Sequence, residues 1–400
     1  MVYHPQQEIL DKYADVLVNF ALGGGKGVRK GEVVFIQVPE CAKPLLISLQ
    51  KAVLKAGAHY ITQYLPDETE RHFYELAQDH HLDFFPEEYL KARVNTMDHL
   101  VSIIADVNKQ ILKGIPPEKI MRKSRSHKPY MDWRTEKENN GKLTWTLALY
   151  GTAAAAKEAG LSEEEYWNQI ISACYLDKKD PVAEWKKSFA ETERVKKVLD
   201  NMEIDKLHVE AEGVDLWVGL GEKRKWLAGM GRNIPSFELF ISPDWRRTQG
   251  HIEFDQPLYR YGNIVKGIKI DFKEGKVVNC SADEGEEVLK KMIEEKNADK
   301  IGEFSLTDKR LSKISKFMAE TLFDENFGGE YGNTHIALGN AYKDSYPGDA
   351  SKVSKEEWDK LGYNESVVHT DIVSTRNRKV TAYMKDGKMK IIYKDGIFLV

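Results

Sequence analysis

The sequence has no long basic run and no long apolar run. Lys and Arg number 59 against 63 Asp and Glu, which gives the 400 residues a formal net charge of -4. Proteins that bind a phosphate backbone usually concentrate positive charge, so we expect no nucleic-acid partner. The longest apolar runs, such as VVFIQV at residues 33–38, fall well short of the roughly 18 to 20 residues of a membrane-spanning helix. We therefore expect no membrane span.

Cysteine is scarce and unpatterned. Cys41, Cys174 and Cys280 lie far apart, and none forms a C-x-x-C pair. This spacing argues against a disulfide framework and against a thiolate zinc site. The amino-terminal segment carries Glu8 and Asp11 where a secretory signal needs an uninterrupted apolar stretch. The sequence thus predicts a cytoplasmic protein.

Two glycine-rich segments are poor candidates for nucleotide binding. In the segment 23–31, Gly-Lys is followed by Gly27 instead of Ser or Thr, and a helical pattern precedes it. The pair Gly219 and Gly221 has Arg224 at the third glycine position of a dinucleotide fingerprint. We expect the first segment to be a loop that ends a helix, and we expect no dinucleotide at the second.

The pattern of apolar residues changes character near the middle of the chain. Residues 33–38, 42–56 and 59–65 read as strand, helix and strand, which predicts a βαβ unit with a parallel sheet. Residues 207–218 and 264–272 instead alternate, and Asp-Gly pairs separate short strands at the carboxyl terminus. We predict an α/β domain over residues 1–203 with a parallel-type sheet, and an α+β domain over residues 204–400 with a mixed or antiparallel sheet that carries a metal site.

Carboxylates inside apolar segments mark the second half. Glu238 lies in IPSFELFISP and Glu303 in IGEFSL, while His369 and Asp371 lie in VVHTDIV. The period of two residues in a strand places this histidine and aspartate on one face, where they could chelate one cation. A buried carboxylate needs a partner or a cation. Zinc, cobalt and manganese accept imidazole and carboxylate ligands together.

Further candidates follow in the same half. His335 and Tyr342 in HIALGNAY would lie two turns apart if this segment were helical, although Gly339 interrupts it. The preceding glycine-rich stretch supplies Glu325 and Glu330. From the residue types alone, a shared cation site and a scatter of salt bridges and helix caps both stay open.

Five strings, in order and at near-constant spacing, carry a family resemblance: RNIPSFELFISP, IGEFSL, TLFDEN, HIALGNAY and VHTD. With the amino-terminal KYADVLV and KAGAHY, they resemble the aminopeptidase T and aminopeptidase S family of dinuclear metallopeptidases. The resemblance implies two divalent ions (Zn, Co, Mn or Mg) per subunit and a homodimer. It also implies that the metal ligands are Glu238, Glu303, Glu325, His335, His369 and Asp371, and that Glu303 and Tyr342 are catalytic.

The sequence departs from the family pattern in two places. Phe237 stands where the family has the first glutamate of a pair. The stretch FGGEYGNT lengthens the connection to His335, which makes Glu330 a rival of Glu325 for the ligand role. We favour Glu325, because the whole FDEN string matches and glycine-rich loops absorb insertions.

The resulting hypothesis is a metal-dependent aminopeptidase that hydrolyses the first residue from peptides with a free N-terminus. Two ions would activate a water, Glu303 would bridge them or take the water's proton, and Tyr342 would stabilise charge on the carbonyl oxygen. The main alternative is a non-catalytic, metal-bearing peptide-binding or scaffold protein of the same fold. A nucleotide-binding enzyme built on the amino-terminal half is the third hypothesis.

Overall fold

The structure, a computed structural model, describes Tyr3 and residues 5–229 and 231–400. The chain forms two compact units. The first unit runs up to Phe189 and takes in Gly229–Ser236 and Phe317–Leu322, and the second comprises Ala190–Ala228, Phe237–Lys316 and Phe323–Val400. Each unit is therefore assembled from separate stretches of the chain.

The strands are numbered in chain order. They are β1 (Val33–Pro39), β2 (His59–Leu65), β3 (His99–Ile104), β4 (Thr144–Leu149), β5 (Ile204–Ala211), β6 (Val214–Gly219), β7 (Leu227–Ala228), β8 (Asn233–Ile234), β9 (Glu238–Ile241), β10 (Thr248–Glu253), β11 (Leu258–Arg260), β12 (Asn263–Val265), β13 (Lys269–Lys273), β14 (Lys276–Ser281), β15 (Ile301–Thr307), β16 (Asn333–Gly339), β17 (His369–Ser374), β18 (Arg378–Met384), β19 (Met389–Lys394) and β20 (Ile397–Phe398).

The helices are numbered in the same way. They are α1 (Gln7–Val16), α2 (Leu22–Gly25), α3 (Lys43–Lys55), α4 (Glu70–Leu76), α5 (Asp79–Asp83), α6 (Glu87–Thr96), α7 (Pro117–Ser126), α8 (Lys128–Asn139), α9 (Ala153–Glu158), α10 (Glu163–Ala173), α11 (Pro181–Asp200), α12 (Glu286–Glu294), α13 (Thr321–Asp324) and α14 (Lys355–Leu361). Within the described part of the chain, no helix is both long enough and apolar enough to cross a membrane.

The first unit is built on a parallel sheet with the strand order β2-β1-β3-β4-β8. The predicted βαβ unit is confirmed, with α3 connecting β1 to the parallel strand β2. Val34, Ile36 and Val38 of β1 are completely buried. The sequence of such a strand is a short continuous apolar run, because both faces of a parallel sheet are covered.

The first helix ends earlier than the apolar periodicity suggests. Regular α1 stops at Val16, a π-helical turn covers Leu17–Ala21, and the chain then reverses through glycines. Gly27 has a φ of +79°, and a Cβ there would lie 2.6 Å from the main-chain oxygen of Asn19. The glycine-rich segment is therefore the helix-ending loop that the sequence predicts.

The second unit contains an antiparallel sheet with the order β14-β13-β10-β6-β5-β18-β19-β20. Its hairpins confirm the predicted alternating strands and Asp-Gly turns, and with the parallel sheet they confirm the predicted fold class. The alternation at 264–272 is divided between two sheets, since β12 pairs with β11 while β13 joins the large sheet. Gly267, with a φ of +63°, lies at this division.

A second antiparallel sheet in this unit has the order β17-β16-β15-β9-β7. Every residue of β15 and of β16 is buried. Leu239, Phe304, Ile336 and Ile372 belong to the same hydrophobic core as residues of the large sheet. Because successive side chains of a strand point to opposite faces, the alternate residues of these strands form a separate, polar face.

His99 joins β3 by hydrogen bonds to β4 and to Glu32, the residue before β1. His99 on β3 is buried, with Nε2 2.8 Å from Oε2 of Glu32 and Nδ1 2.7 Å from the Thr144 hydroxyl. Burial raises the pKa of Glu32, but hydrogen bonds from His99 and Arg29 outweigh it and lower the pKa to about 2. The folded protein thus favours the ionised carboxylate.

Replacing Glu32 with Gln is expected to lower the free energy of unfolding by about 1 to 2 kcal/mol near neutral pH, because charged hydrogen bonds are lost. Folding lowers the pKa of Glu32 from its ordinary value of 4.5, so this contribution is complete above pH 4.5 and is lost as the pH falls toward about 2. Urea unfolding at several pH values measures the difference. Glu8→Gln, which changes an exposed carboxylate paired with Lys12, is the control and should change stability by less than about 0.5 kcal/mol. A pH-independent difference between wild type and E32Q would contradict the assignment.

Candidate metal centre

Strand register brings five of the six proposed ligands, all except Glu325, onto one face of the sheet β17-β16-β15-β9-β7. Residues directly opposite each other in antiparallel strands share a face. The pairs are Thr307 with Glu238, Ser305 with His335, Ala337 with both Glu303 and Asp371, and Gly339 with His369. The short side chains of Ser305 and Ala337 lie among the long polar ones, which leaves room between them.

His335 lies at the centre of the first ligand group. Its Nε2 is 3.1 Å from Oε2 of Glu238 and 3.1 Å from Oε1 of Glu303. All three side chains are buried, and each offers a ligand atom within 4.8 Å of the others.

His369 and Asp371 form the second group with the same glutamate. His369 Nε2 lies 3.5 Å from Oδ1 of Asp371 and 3.9 Å from Oε2 of Glu303. The two side chains share a face, as the strand alternation predicts. Glu303 therefore directs one carboxylate oxygen toward each group.

Main-chain and hydroxyl groups orient these side chains. His369 Nδ1 lies 2.8 Å from the carbonyl oxygen of Asn340, and His335 Nδ1 lies 3.3 Å from that of Glu325. Hydrogen bonding of Nδ1 to a main-chain oxygen leaves Nε2 as the ring nitrogen that faces the carboxylates and that would bind a cation. The Ser305 hydroxyl donates to Oε2 of Glu238 at 3.0 Å. Sequence reasoning overlooked this serine, although it lies two residues after Glu303 on the same face.

Glu325 and Glu330 lie in contrasting surroundings. Glu325 is buried, and the Asn326 amide donates to its Oε1 at 3.4 Å. The other end of this amide accepts the N–H of Phe237 at 2.6 Å. Burial and the nearby charges of Asp371 and Glu238 raise the pKa of Glu325 well above its ordinary value. Glu330 is exposed, so the geometry favours Glu325 as the further acidic group of the centre.

Tyr342 reaches the centre by a different route from the one considered in the sequence. The helix considered over HIALGNAY does not form, because β16 runs to Gly339 and Tyr342 lies in the loop after it. β16 is paired with a strand on each side, which makes the segment up to Gly339 part of the sheet. The Tyr342 ring nevertheless meets the His369 ring at 4.9 Å between centroids.

The loop that carries Tyr342 is anchored to β9. The main-chain N–H of Tyr342 donates to the buried Ser242 hydroxyl at 2.8 Å. The Phe240 ring lies 5.8 Å from the Tyr342 ring in an edge-to-face arrangement. The tyrosine is thus held between an aromatic ring of β9 and a proposed ligand of β17.

The centre carries more negative than positive charge. Burial raises the pKa of Glu303 despite a hydrogen bond from His335. Burial lowers the pKa of His335, but hydrogen bonds to Glu238 and Glu303 outweigh it and raise the pKa well above its ordinary value. The shifts on Glu303 and His335 favour proton uptake, which offsets part of the buried negative charge.

The donor set fits divalent cations. The proposed ligands comprise four carboxylates and two imidazoles, a combination that suits zinc, cobalt or manganese. Oδ1 of Asp371 is buried, and the His369 imidazole 3.5 Å away does not meet it with hydrogen-bond geometry. An acceptor of this kind is costly unless a cation or a donor meets it. Glu238, Glu303 and His335 would hold one ion, and Glu303, His369 and Asp371 a second.

The sequence matches the family of peptidases described as thermophilic metalloprotease (M29) over residues 6–398. The chain belongs to the M29 family. It is 29% identical to aminopeptidase PepS of Streptococcus thermophilus over the whole of both chains. It is also 29% identical to aminopeptidase T of Thermus thermophilus, over 96% of this chain and 98% of that protein.

The fold agrees with this membership. The solved structure of wild-type AmpT from Thermus thermophilus superposes with a TM-score of 0.84 at 26% identity, covering 98% of this chain and all of AmpT. An M29 chain is a metalloprotease, which implies a divalent metal cofactor and peptide substrates. Membership supports the predicted metallo-aminopeptidase over the non-catalytic scaffold of the same fold.

Removing divalent ions with a chelator is expected to lower the melting temperature of the M29 protein, because the buried carboxylates then repel one another. An ion that binds the folded state adds about 2.7 kcal/mol of stability when its free concentration is 100 times its Kd. Thermal unfolding with chelator, and then with added Zn²⁺ or Mn²⁺, measures the effect.

The Glu303→Gln variant should lose most of this stabilisation, because both ligand groups contain Glu303. Glu330→Gln is the matched control and should keep it, since Glu330 is exposed. A wild-type melting temperature that neither chelator nor added ions can shift would contradict the assignment.

Proposed function

We propose that the protein is an aminopeptidase that hydrolyses the first peptide bond of substrates with a free N-terminus, with two divalent ions bound by residues 204–400. The proposed ligands are Glu238, Glu303, Glu325, His335, His369 and Asp371. The observation that supports two ions is the position of Glu303, whose two carboxylate oxygens face different ligand groups. One carboxylate shared in this way is the arrangement expected of a bridging ligand.

Glu303 is the proposed proton acceptor. Divalent ions bound here would lower the pKa of a water molecule and polarise the scissile carbonyl group. The Glu303 carboxylate is buried between the two histidines and lies within hydrogen-bond distance of His335. It is therefore positioned to take a proton from the attacking water and to return it to the leaving amine.

Tyr342 is the proposed donor to the developing oxyanion. Its ring is held beside His369, and its main chain is fixed by Ser242. A phenol that donates a hydrogen bond where negative charge develops stabilises the transition state more than the substrate. Fixing the ring in advance avoids the cost of reorienting it during the reaction.

The two ligand groups support selectivity for a free amine. Glu238, Glu303 and His335 would hold one ion, and Glu303, His369 and Asp371 the other. The free α-amine of a substrate could bind at the second ion or at the acidic side chains around it, whereas an acetylated N-terminus has no basic nitrogen to bind there. This places the cleaved bond one residue from the N-terminus.

An unblocked leucyl peptide or leucyl anilide is expected to be hydrolysed, and its N-acetylated form to be cleaved at least 100-fold more slowly, because the acetylated substrate has no amine to bind. Product release measured on matched substrate pairs gives the ratio of kcat/KM. Equal cleavage of both substrates would show an endopeptidase or an unspecific hydrolase.

Glu303→Gln and Tyr342→Phe are each expected to reduce kcat by about 100-fold or more, since each removes a group that acts in the transition state. Tyr346→Phe, in the same loop as Tyr342, is the matched control and should change kcat by less than threefold. Its ring packs against Trp358 and has no proposed catalytic role. Losses below threefold in both E303Q and Y342F would remove these residues from the mechanism.

Several finer features belong to the same proposal. The ions are proposed to be zinc, cobalt, manganese or magnesium, and the functional form a homodimer. A cytoplasmic location stays a prediction of the sequence. Metal analysis of the purified protein together with its mass in solution tests the first two features on one preparation.

A further inference from the structure

Two of the proposed ligands lie on a strand at the edge of its sheet. β17 carries His369 and Asp371, and it is the last strand in the order β17-β16-β15-β9-β7. An edge strand has a sheet neighbour on one side only, so its main chain is less constrained than that of β15 or β16. Ligand geometry at this end of the centre therefore depends on what holds the outer side of β17.

Arg260 makes a contact on that outer side. It ends β11, and its Nη2 donates to the main-chain oxygen of His369 at 3.1 Å. His369 is then fixed at two points, because its Nδ1 also lies 2.8 Å from the Asn340 carbonyl oxygen. The arginine thus acts on the ligand through its main chain.

A tight turn fixes the position of Arg260. Tyr261 and Gly262 have φ values of 53° and 65°, as in the two-residue turns that join closely paired strands. The guanidinium group lies 4.9 Å from the centre of the Tyr261 ring. Its Nε is buried and has no hydrogen-bond partner within the described chain. The turn and the Tyr261 ring therefore hold the side chain in place, and its Nε–H remains available as a donor.

The charge of Arg260 opposes this effect. The guanidinium group lies beside the main chain of His369, so its positive charge would repel a cation at the second ligand group. Its two effects on metal binding therefore oppose each other.

We propose that Arg260 is a positioning residue that holds His369 in place to bind the second ion. This inference rests on the ligand set of the proposed function. Positioning is expected to outweigh charge repulsion, because the hydrogen bond acts directly on the main chain of His369, whereas the carboxylates of the second ligand group offset the guanidinium charge. Substitution of groups that orient metal ligands usually weakens metal binding by about 10- to 100-fold.

The test is calorimetric titration of the metal-free protein with Zn²⁺ alone. Arg260→Met should weaken one of the two binding events about 10- to 100-fold and leave the other within threefold of wild type. Arg260→Lys keeps the charge but loses the forked donor geometry, so it should weaken the same event by more than threefold. The visible spectrum of the Co²⁺-loaded variants should change as well, since it reports ligand geometry directly.

Arg376→Met is the matched control. Arg376 also donates to a main-chain oxygen, that of Glu212, and pairs with the Glu253 carboxylate 3.1 Å away. The Arg376→Met variant should bind zinc as tightly as wild type and should show the same Co²⁺ spectrum as wild type. Thermal unfolding of the metal-free variants shows whether each is folded. If R260M is not folded, the zinc affinity of R260K decides the test.

Zinc binding by R260M or R260K within threefold of wild type would overturn the proposal. Tighter binding by R260M would overturn it too, because charge repulsion would then be the dominant effect. Failure of the proposed function is distinguishable, since it would appear as a wild-type protein that takes up no zinc. That result would contradict both the proposed function and the positioning role of Arg260.

Discussion

The burial of excess negative charge on one face of a small antiparallel sheet is the constraint on which the site depends. Four proposed carboxylate ligands and two imidazoles come together there, and most of them are almost completely shielded from water. Isolated buried charges cost several kcal/mol each even after relaxation. Such a face is stable only if protons or cations balance it, and divalent cations do so while keeping the carboxylates ionised. The same imbalance that makes the face costly without ions gives it affinity for them.

Strand register makes this arrangement specific. Glu303 and Ser305 point to the polar face, while Phe304 and Leu306 point into the hydrophobic core. A shift of one residue in β15 would bury Glu303 among apolar side chains and expose Phe304 to the carboxylates. The core therefore fixes the site, since the free energy that holds the apolar face in place also prevents the polar face from rearranging. Small residues at Ser305 and Ala337 then leave space where larger ones would fill the centre.

Local patterns in the sequence were sufficient for much of the fold and for part of the site. The βαβ unit and the hairpins follow from periodicity, and the His369 and Asp371 pair follows from strand alternation. Long-range pairing explains what was missed. The separation of His335 and Tyr342 also allowed a helix, yet β16 is a central strand because β15 and β17 pair with it on both sides. The groups that orient the histidines are main-chain oxygens of Glu325 and Asn340, which any residue type could supply.

The glycine-rich stretch before His335 shows how the chain connects Glu325 to β16. Glu325 is tied to its surroundings before the glycines begin, through Asn326 and through a hydrogen bond from the Thr307 hydroxyl to its main-chain oxygen. The chain then passes through Gly329 and Gly332, both with positive φ, and exposes Glu330. A Cβ at Gly332 would lie 2.2 Å from the Thr307 carbonyl oxygen, so the returning chain must approach β15 closely before it enters β16. Contacts at the two ends of this stretch therefore determine where the acidic group and His335 meet.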